Sequence, residues 1–161
     1  MSAEQMSIAG EWCDAEDGAT AEILNPATGE IMATTPKATL GDVNRCVDAS
    51  RAAFNDSSWK NMDPAQRGRI LNKMAQATYA KAKELAVLES NNNGKTFREA
   101  LSEIRFGAWT LEYFAGLSDK IEGSTIPVPG NRLNYTLRQP LGVTVHIIPW
   151  NFPLQLALRS I

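Results

Sequence analysis

The feature that most limits what this chain can fold into is its closing stretch, Pro140-Leu141-Gly142-Val143-Thr144-Val145-His146-Ile147-Ile148-Pro149-Trp150-Asn151-Phe152-Pro153-Leu154. Proline has no amide hydrogen and a fixed φ, so Pro149 and Pro153 cannot sit inside a strand ladder or a helix interior. The apolar run 143–148 predicts a short buried strand that stops at Pro149. Pro153 suits the first turn of a new helix. Trp150-Asn151 between them is then a tight turn at the carboxyl end of a buried strand, where open α/β sheets bind ligands. Asn151 is the polar group held in that turn, and the residues leave two roles open to it. It caps the helix beginning at Phe152-Pro153, or its carboxamide is a pre-organised donor in a dry cleft.

Ahead of this stretch, strand and helix signals are mixed, so an α/β fold is expected. Asn25-Pro26-Ala27-Thr28-Gly29-Glu30 reads as a turn joining extended segments at 21–24 and 30–35. Thr39 and Asp42 open a helix as cap and first-turn acid. Val43, Cys46, Val47, Ser50 and Phe54 follow at helical spacing, which places Cys46 on a buried stripe. Asp63-Pro64-Ala65-Gln66 opens a second helix, with Gln66 placed to close a capping box. The stripe Ile70, Met74, Ala77, Leu85 and Leu88 carries that helix to Asn91-Asn92-Asn93-Gly94, which ends it. Thr96 and Glu99 form the capping box of a third helix. Its apolar residues, among them Ile104, Phe106, Trp109, Leu111, Tyr113 and Phe114, wrap most of the circumference and predict burial on more than one side. Beyond Gly116, the residues Gly123, Pro127, Pro129 and Gly130 exclude helix. The segment 132–139 then alternates as a strand, in a ribbon expected to leave the domain and pair with something else.

Little else in the chain offers chemistry. At 43% hydrophobic, 21% charged and net charge −2 there is no basic surplus to attract nucleic acid or an anionic membrane. The longest apolar run, 143–150, is too short to span a bilayer. Cys13 and Cys46 make no metal-ligand spacing, so no metal is expected; they read as reduced thiols in a cytoplasmic protein. His146, the sole histidine, falls within the apolar run and reads as a packed strand residue with no nucleophile paired to it. No glycine-rich phosphate loop is present. Asn151 is what remains.

Here the motifs resemble a known family. Pro140-Leu141-Gly142-Val143 followed by Ile147-Ile148-Pro149-Trp150-Asn151-Phe152-Pro153-Leu154 is similar to the aldehyde dehydrogenase superfamily. Asn25-Pro26-Ala27-Thr28-Gly29-Glu30, Leu88-Glu89-Ser90 with Gly94-Lys95, and Tyr113-Phe114-Ala115-Gly116 come in the family's order. The resemblance implies oxidation of a small-molecule aldehyde to a carboxylic acid with NAD or NADP, NAD being favoured. In the family a cysteine thiolate attacks the aldehyde, hydride passes to the nicotinamide, and a glutamate-activated water releases the acid. By the same resemblance Asn151 is the oxyanion-hole donor, and Ile147, Ile148, Pro149, Trp150 and Asn151 contact the cofactor.

The fold implied is part of a Rossmann-like cofactor-binding domain with a protruding β-ribbon oligomerisation arm. Residues 1–120 belong to the cofactor domain, 121–139 to the arm and 140–161 to the return into the domain. The implied assembly is a homo-oligomer, dimer or tetramer. The chain ends at Ile161 in mid-pattern, so it is expected to be the N-terminal part of a longer protein, inactive by itself and lacking the nucleophilic cysteine and the glutamate base. The competing reading from the residues is a non-catalytic assembly or binding module that docks through its ribbon and aromatic helix.

Overall fold

A computed structural model describes residues 2–161. The first third is a set of short strands, β1 (Ser2–Ala3), β2 (Met6–Ile8), β3 (Glu11–Cys13), β4 (Thr20–Leu24) and β5 (Ile31–Pro36). β4 and β5 pair antiparallel, and β1 adds to β5 in parallel. β2 and β3 form a separate hairpin. The turn between β4 and β5 is the expected one: Asn25 Oδ1 accepts from the Ala27 amide (2.9 Å), and Gly29 takes a φ of 74° that a side chain would disfavour.

Helix α1 (Leu40–Asn55) starts as its sequence dictates, with Thr39 and Asp42 closing a reciprocal capping box. Its stripe does not behave as expected. Val43, Cys46 and Val47 are exposed. The buried side chain of α1 is Asp42, 1% exposed. The stripe fails because β2 and the short helix that follows are the main elements against α1 and neither covers that face; burial needs a facing surface as well as a period. A short helix, α2 (Ser57–Lys60), follows.

The second expected helix is two helices. α3 (Pro64–Ala80) is capped by Asp63, whose side chain accepts from the Ala65 amide (2.8 Å) instead of closing a box with Gln66. At Lys81 (φ −97°, ψ 6°) the chain leaves helical geometry, and α4 (Ala82–Asn93) sets off afresh. The break directs Ala82 and Ala86 onto Ala100 and Ile104 of α5 (Phe97–Ala115). Small residues permit that close approach.

α5 is the axis of the fold, with α3, α4 and α6 (Pro153–Arg159) packed around it. Ala75, Leu111 and Leu158 form one buried cluster, Ala82, Ala86, Ala100 and Ile104 a second, and Leu154 packs against both. Gly107 lets α6 lie close to α5, because a Cβ there would stand 2.9 Å from Leu158 Cδ1 and 3.3 Å from Gln155 Cα. α5 is thus buried on more than one side, as expected, but its aromatic face is not covered. Phe106, Trp109, Tyr113 and Phe114 are about half exposed and touch chiefly one another, with ring centroids 5.3–5.8 Å apart.

The ribbon is a hairpin of β6 (Thr125–Ile126) with β7 (Asn134–Tyr135), shorter than the strand expected over 132–139. Leu133, Tyr135 and Leu137 are exposed on it. The buried strand expected over 143–148 is not formed: residues 141–149 have no regular structure, and Val145, His146 and Ile147 are exposed. A strand needs a neighbour to satisfy its amides and carbonyls, and among the described residues none lies beside this one. No helix among them is long and apolar enough to cross a membrane.

Candidate functional site

The polar centre of the molecule is Lys95, a residue that the sequence reading passed over except as part of a motif. It sits in the joint between α4 and α5, and its backbone is fixed on both sides. Gly94 ends α4 in the left-handed conformation at φ 80°, a position natural to glycine. Thr96 then caps α5, with its side chain accepting from the Glu99 amide and the Glu99 carboxylate accepting from Thr96. The Lys95 amide donates to Asn93 Oδ1 (3.1 Å), and its carbonyl accepts from Ser90 Oγ (2.7 Å). Pro26 of the β4–β5 turn rests against the joint, where a Cβ on Gly94 would lie 3.1 Å from Pro26 Cγ.

From that fixed backbone the Lys95 side chain reaches inward and is 14% exposed. Its ammonium has three hydrogens and three acceptors. It donates to Glu89 Oε1 on α4 (3.0 Å), to Glu103 Oε2 on α5, and to the backbone carbonyl of Asn151 (2.6 Å). The Phe152 ring lies 4.8 Å from Nζ, close enough for a cation–π contact. Desolvation works to lower the Lys95 pKa, but hydrogen bonds to the Glu103 and Glu89 carboxylates prevail and raise it above 10.5. The ammonium is therefore charged at neutral pH. Burial pushes the Glu89 carboxyl up, against the opposing hydrogen bond from Lys95.

Asn151 thus has two halves with different fates. Its carbonyl is held by Lys95. Its carboxamide is exposed and makes no hydrogen bond among the described residues. The capping role open to it from sequence is not the one taken: Phe152 is the N-cap of α6, no side chain caps that helix, and Pro153 removes one of the amides that would need an acceptor. Trp150 is 77% and Ile147 94% exposed, Ile148 is half-buried and Pro149 exposed. These four form a contiguous apolar strip leading into Asn151. His146 is not packed in a strand; its Nε2 lies 2.9 Å from Thr144 Oγ1, both exposed. Among the described residues no group of three or more His, Cys, Asp or Glu could hold a metal ion.

The structure therefore brings together three of the motifs quoted from the sequence, the Asn-Pro turn, the Gly94-Lys95 joint and the Trp-Asn turn. Tyr113-Phe114-Ala115-Gly116 lies apart from them, at the far end of α5, where the Ala115 carbonyl closes over Gly68. The contribution of Glu103 was invisible in sequence. The only available signal was its spacing on the same helix as the Thr96 cap, which does not reveal what it faces.

Known proteins match nearly all of the chain. The family model of the aldehyde dehydrogenase family matches residues 12–161. A (Z)-2-((N-methylformamido)methylene)-5-hydroxybutyrolactone dehydrogenase of Acinetobacter baylyi is 45% identical over 155 residues, which is 95% of this chain and 31% of that protein. A crystal structure of aldehyde dehydrogenase from Brucella melitensis biovar abortus superposes with a TM-score of 0.93 at 35% identity, covering 98% of this chain and 32% of that one. An NAD-dependent aldehyde dehydrogenase from Sinorhizobium meliloti gives 0.92 at 39% identity, covering 97% and 32%. The chain belongs to the aldehyde dehydrogenase family. It spans about a third of the length of the relatives it matches.

Proposed function

We propose that this chain is the N-terminal third of a cytoplasmic enzyme that oxidises a small-molecule aldehyde to a carboxylic acid with NAD or NADP, and that Asn151 supplies its oxyanion donor. The observation that carries the reading is the division within Asn151: a carbonyl clamped by a largely buried ammonium and a carboxamide left without a partner among the described residues. A neutral donor on a fixed backbone needs little reorganisation as charge develops on a carbonyl oxygen, which is where such donors are most effective. Helix-capping has no claim on it, since α6 starts without a side-chain cap.

The apolar strip Ile147, Ile148, Pro149 and Trp150 suits one face of a flat cofactor ring. Ile147, Pro149 and Trp150 are exposed and Ile148 is half-buried. When bound, the nicotinamide cofactor supplies the hydride acceptor; the Sinorhizobium relative is named as NAD-dependent, and NAD is favoured here. The strip excludes water from one side of the reacting carbonyl, and Asn151 points its amide hydrogens at the oxygen. The nucleophile and the base are assigned to the remainder of the enzyme, as neither Cys13 nor Cys46 stands in a sequence context that matches the family's nucleophile. In this reading residues 1–120 and 140–161 belong to a Rossmann-like cofactor domain. Residues 121–139 form the arm through which a dimer or tetramer assembles, supported by the exposed Leu133, Tyr135 and Leu137 on the β6–β7 hairpin.

The test is Asn151→Ala in the complete enzyme. Loss of one oxyanion donor lowers kcat by roughly 10²–10³-fold, with a smaller change in KM for the aldehyde. A kcat within about twofold of wild type removes the assigned role.

A further inference from the structure

We propose that Lys95 is a positioning residue for the reaction, setting through the Asn151 carbonyl the place from which the Asn151 carboxamide acts. This inference rests on the oxyanion role proposed above. Its ground is geometric. Among the described residues, the bond from Lys95 Nζ to the Asn151 carbonyl is the one hydrogen bond that ties residues 140–151 to the rest of the chain. On its other two hydrogens the same ammonium is tied to Glu89 on α4 and Glu103 on α5. These carboxylates are 5% and 17% exposed, so the peg is embedded in the helical body instead of floating at its surface. The peptide that it holds carries the side chain in question. A shift in that carbonyl moves the carboxamide with it, and a misplacement of about 1 Å at a reacting centre costs up to roughly 100-fold in rate.

Two other features of the fold hold the neighbourhood but not this peptide. Leu154 and Leu158 key α6 into the core, and Pro149 and Pro153 limit the backbone on either side. Neither supplies a hydrogen bond to the turn. Lys95 touches no reacting atom, and its effect passes entirely through residue 151.

The experiment is a double-mutant cycle in the complete enzyme, joining Lys95→Met/Glu103→Gln with Asn151→Ala. Glu103 is neutralised with the lysine so that the net charge of the cluster is unchanged. Expected is a fall in kcat of roughly 10- to 100-fold with the KM for aldehyde within about threefold of wild type. That fall should vanish when Asn151 is already alanine, since a peg has nothing left to aim. A kcat at wild-type level, or the same fold-loss in both backgrounds, overturns the proposal and leaves the role of Asn151 intact. If Asn151→Ala alone retains full kcat, the oxyanion reading itself fails, and this inference with it. Glu103→Gln alone guards against misfolding, because it keeps Lys95 and removes one of its anchors. It should lower kcat by about threefold or more, again only with Asn151 present, and an unchanged kcat counts against the proposal.

Discussion

Helices α1 and α6 both begin beside a polar residue suited to capping, and the two starts are built in opposite ways. At α1 both oxygens of the capping carboxylate are used. Asp42 accepts from the Thr39 amide (2.8 Å), the Thr39 hydroxyl (3.0 Å), the Glu16 amide (3.2 Å) and the Arg45 guanidinium (2.5 Å). At α6 the helix starts without a side-chain cap, and the Asn151 carboxamide stands free. The first start is held by hydrogen bonds to its own capping side chains, with Glu16 added from outside the helix. The second is held from outside, by Lys95 on its backbone and by Leu154 and Leu158 in the core. A side chain excused from holding the fold is available for chemistry, and this separates a structural turn from a candidate site.

The sharpest way to break this contrast is to remove the packing that holds α6. Leu158→Ala deletes a side chain buried against Ala75 and Leu111, and urea unfolding of the chain should show a loss of about 2–5 kcal/mol. A loss below about 1 kcal/mol would mean that α6 is not keyed by its core face.

The α1 start should respond to pH instead. Hydrogen bonding from the Thr39 amide, with further bonds from Arg45, Glu16 and Thr39 Oγ1 outweighing desolvation, holds the Asp42 carboxyl well below its ordinary 3.8. A depressed folded-state pKa gives stability that is present above the unfolded value and lost as pH falls through the folded one. Wild type should therefore exceed Asp42→Asn in stability at neutral pH, and the gap should narrow progressively below pH 3.8. A gap that persists unchanged into strong acid would contradict the assignment.

The smallest effect belongs to the free carboxamide. Asn151→Ala should alter the thermal stability of the chain by no more than about 0.5 kcal/mol, as for other exposed side chains without partners. Combined with a large loss of kcat in the complete enzyme, that near-silence would mark a side chain that serves the reaction and not the fold.

The same contrast explains what could be seen in the residues beforehand. Thr39 with Asp42, Asp63 with Pro64, Gly94, and Thr96 with Glu99 each announce a helix boundary within four residues, and each stands where expected. The Asn25–Gly29 turn is equally local. What could not be seen depends on partners far along the chain. Val143 and Ile147 have strand character, but a strand exists only beside another strand. Cys46 has helical spacing, but its stripe meets no facing surface. The break at Lys81 lies in Tyr79-Ala80-Lys81-Ala82, with no glycine or proline to announce it; packing of α4 on α5 decides it. At the site, Asn151 was legible as a residue, but its freedom from capping was not, and the Lys95 contact spans 56 positions. No local pattern encodes that distance.

One property of the Lys95 clamp reaches beyond this molecule. Lys95 grips a main-chain oxygen, an atom that every amino acid carries, and takes no notice of the side chain attached. The mount and the tool it carries are therefore separately inherited. Position 151 is free to exchange one functional group for another over evolutionary time without rebuilding the joint that aims it, and a change in the joint re-aims whatever residue happens to be there.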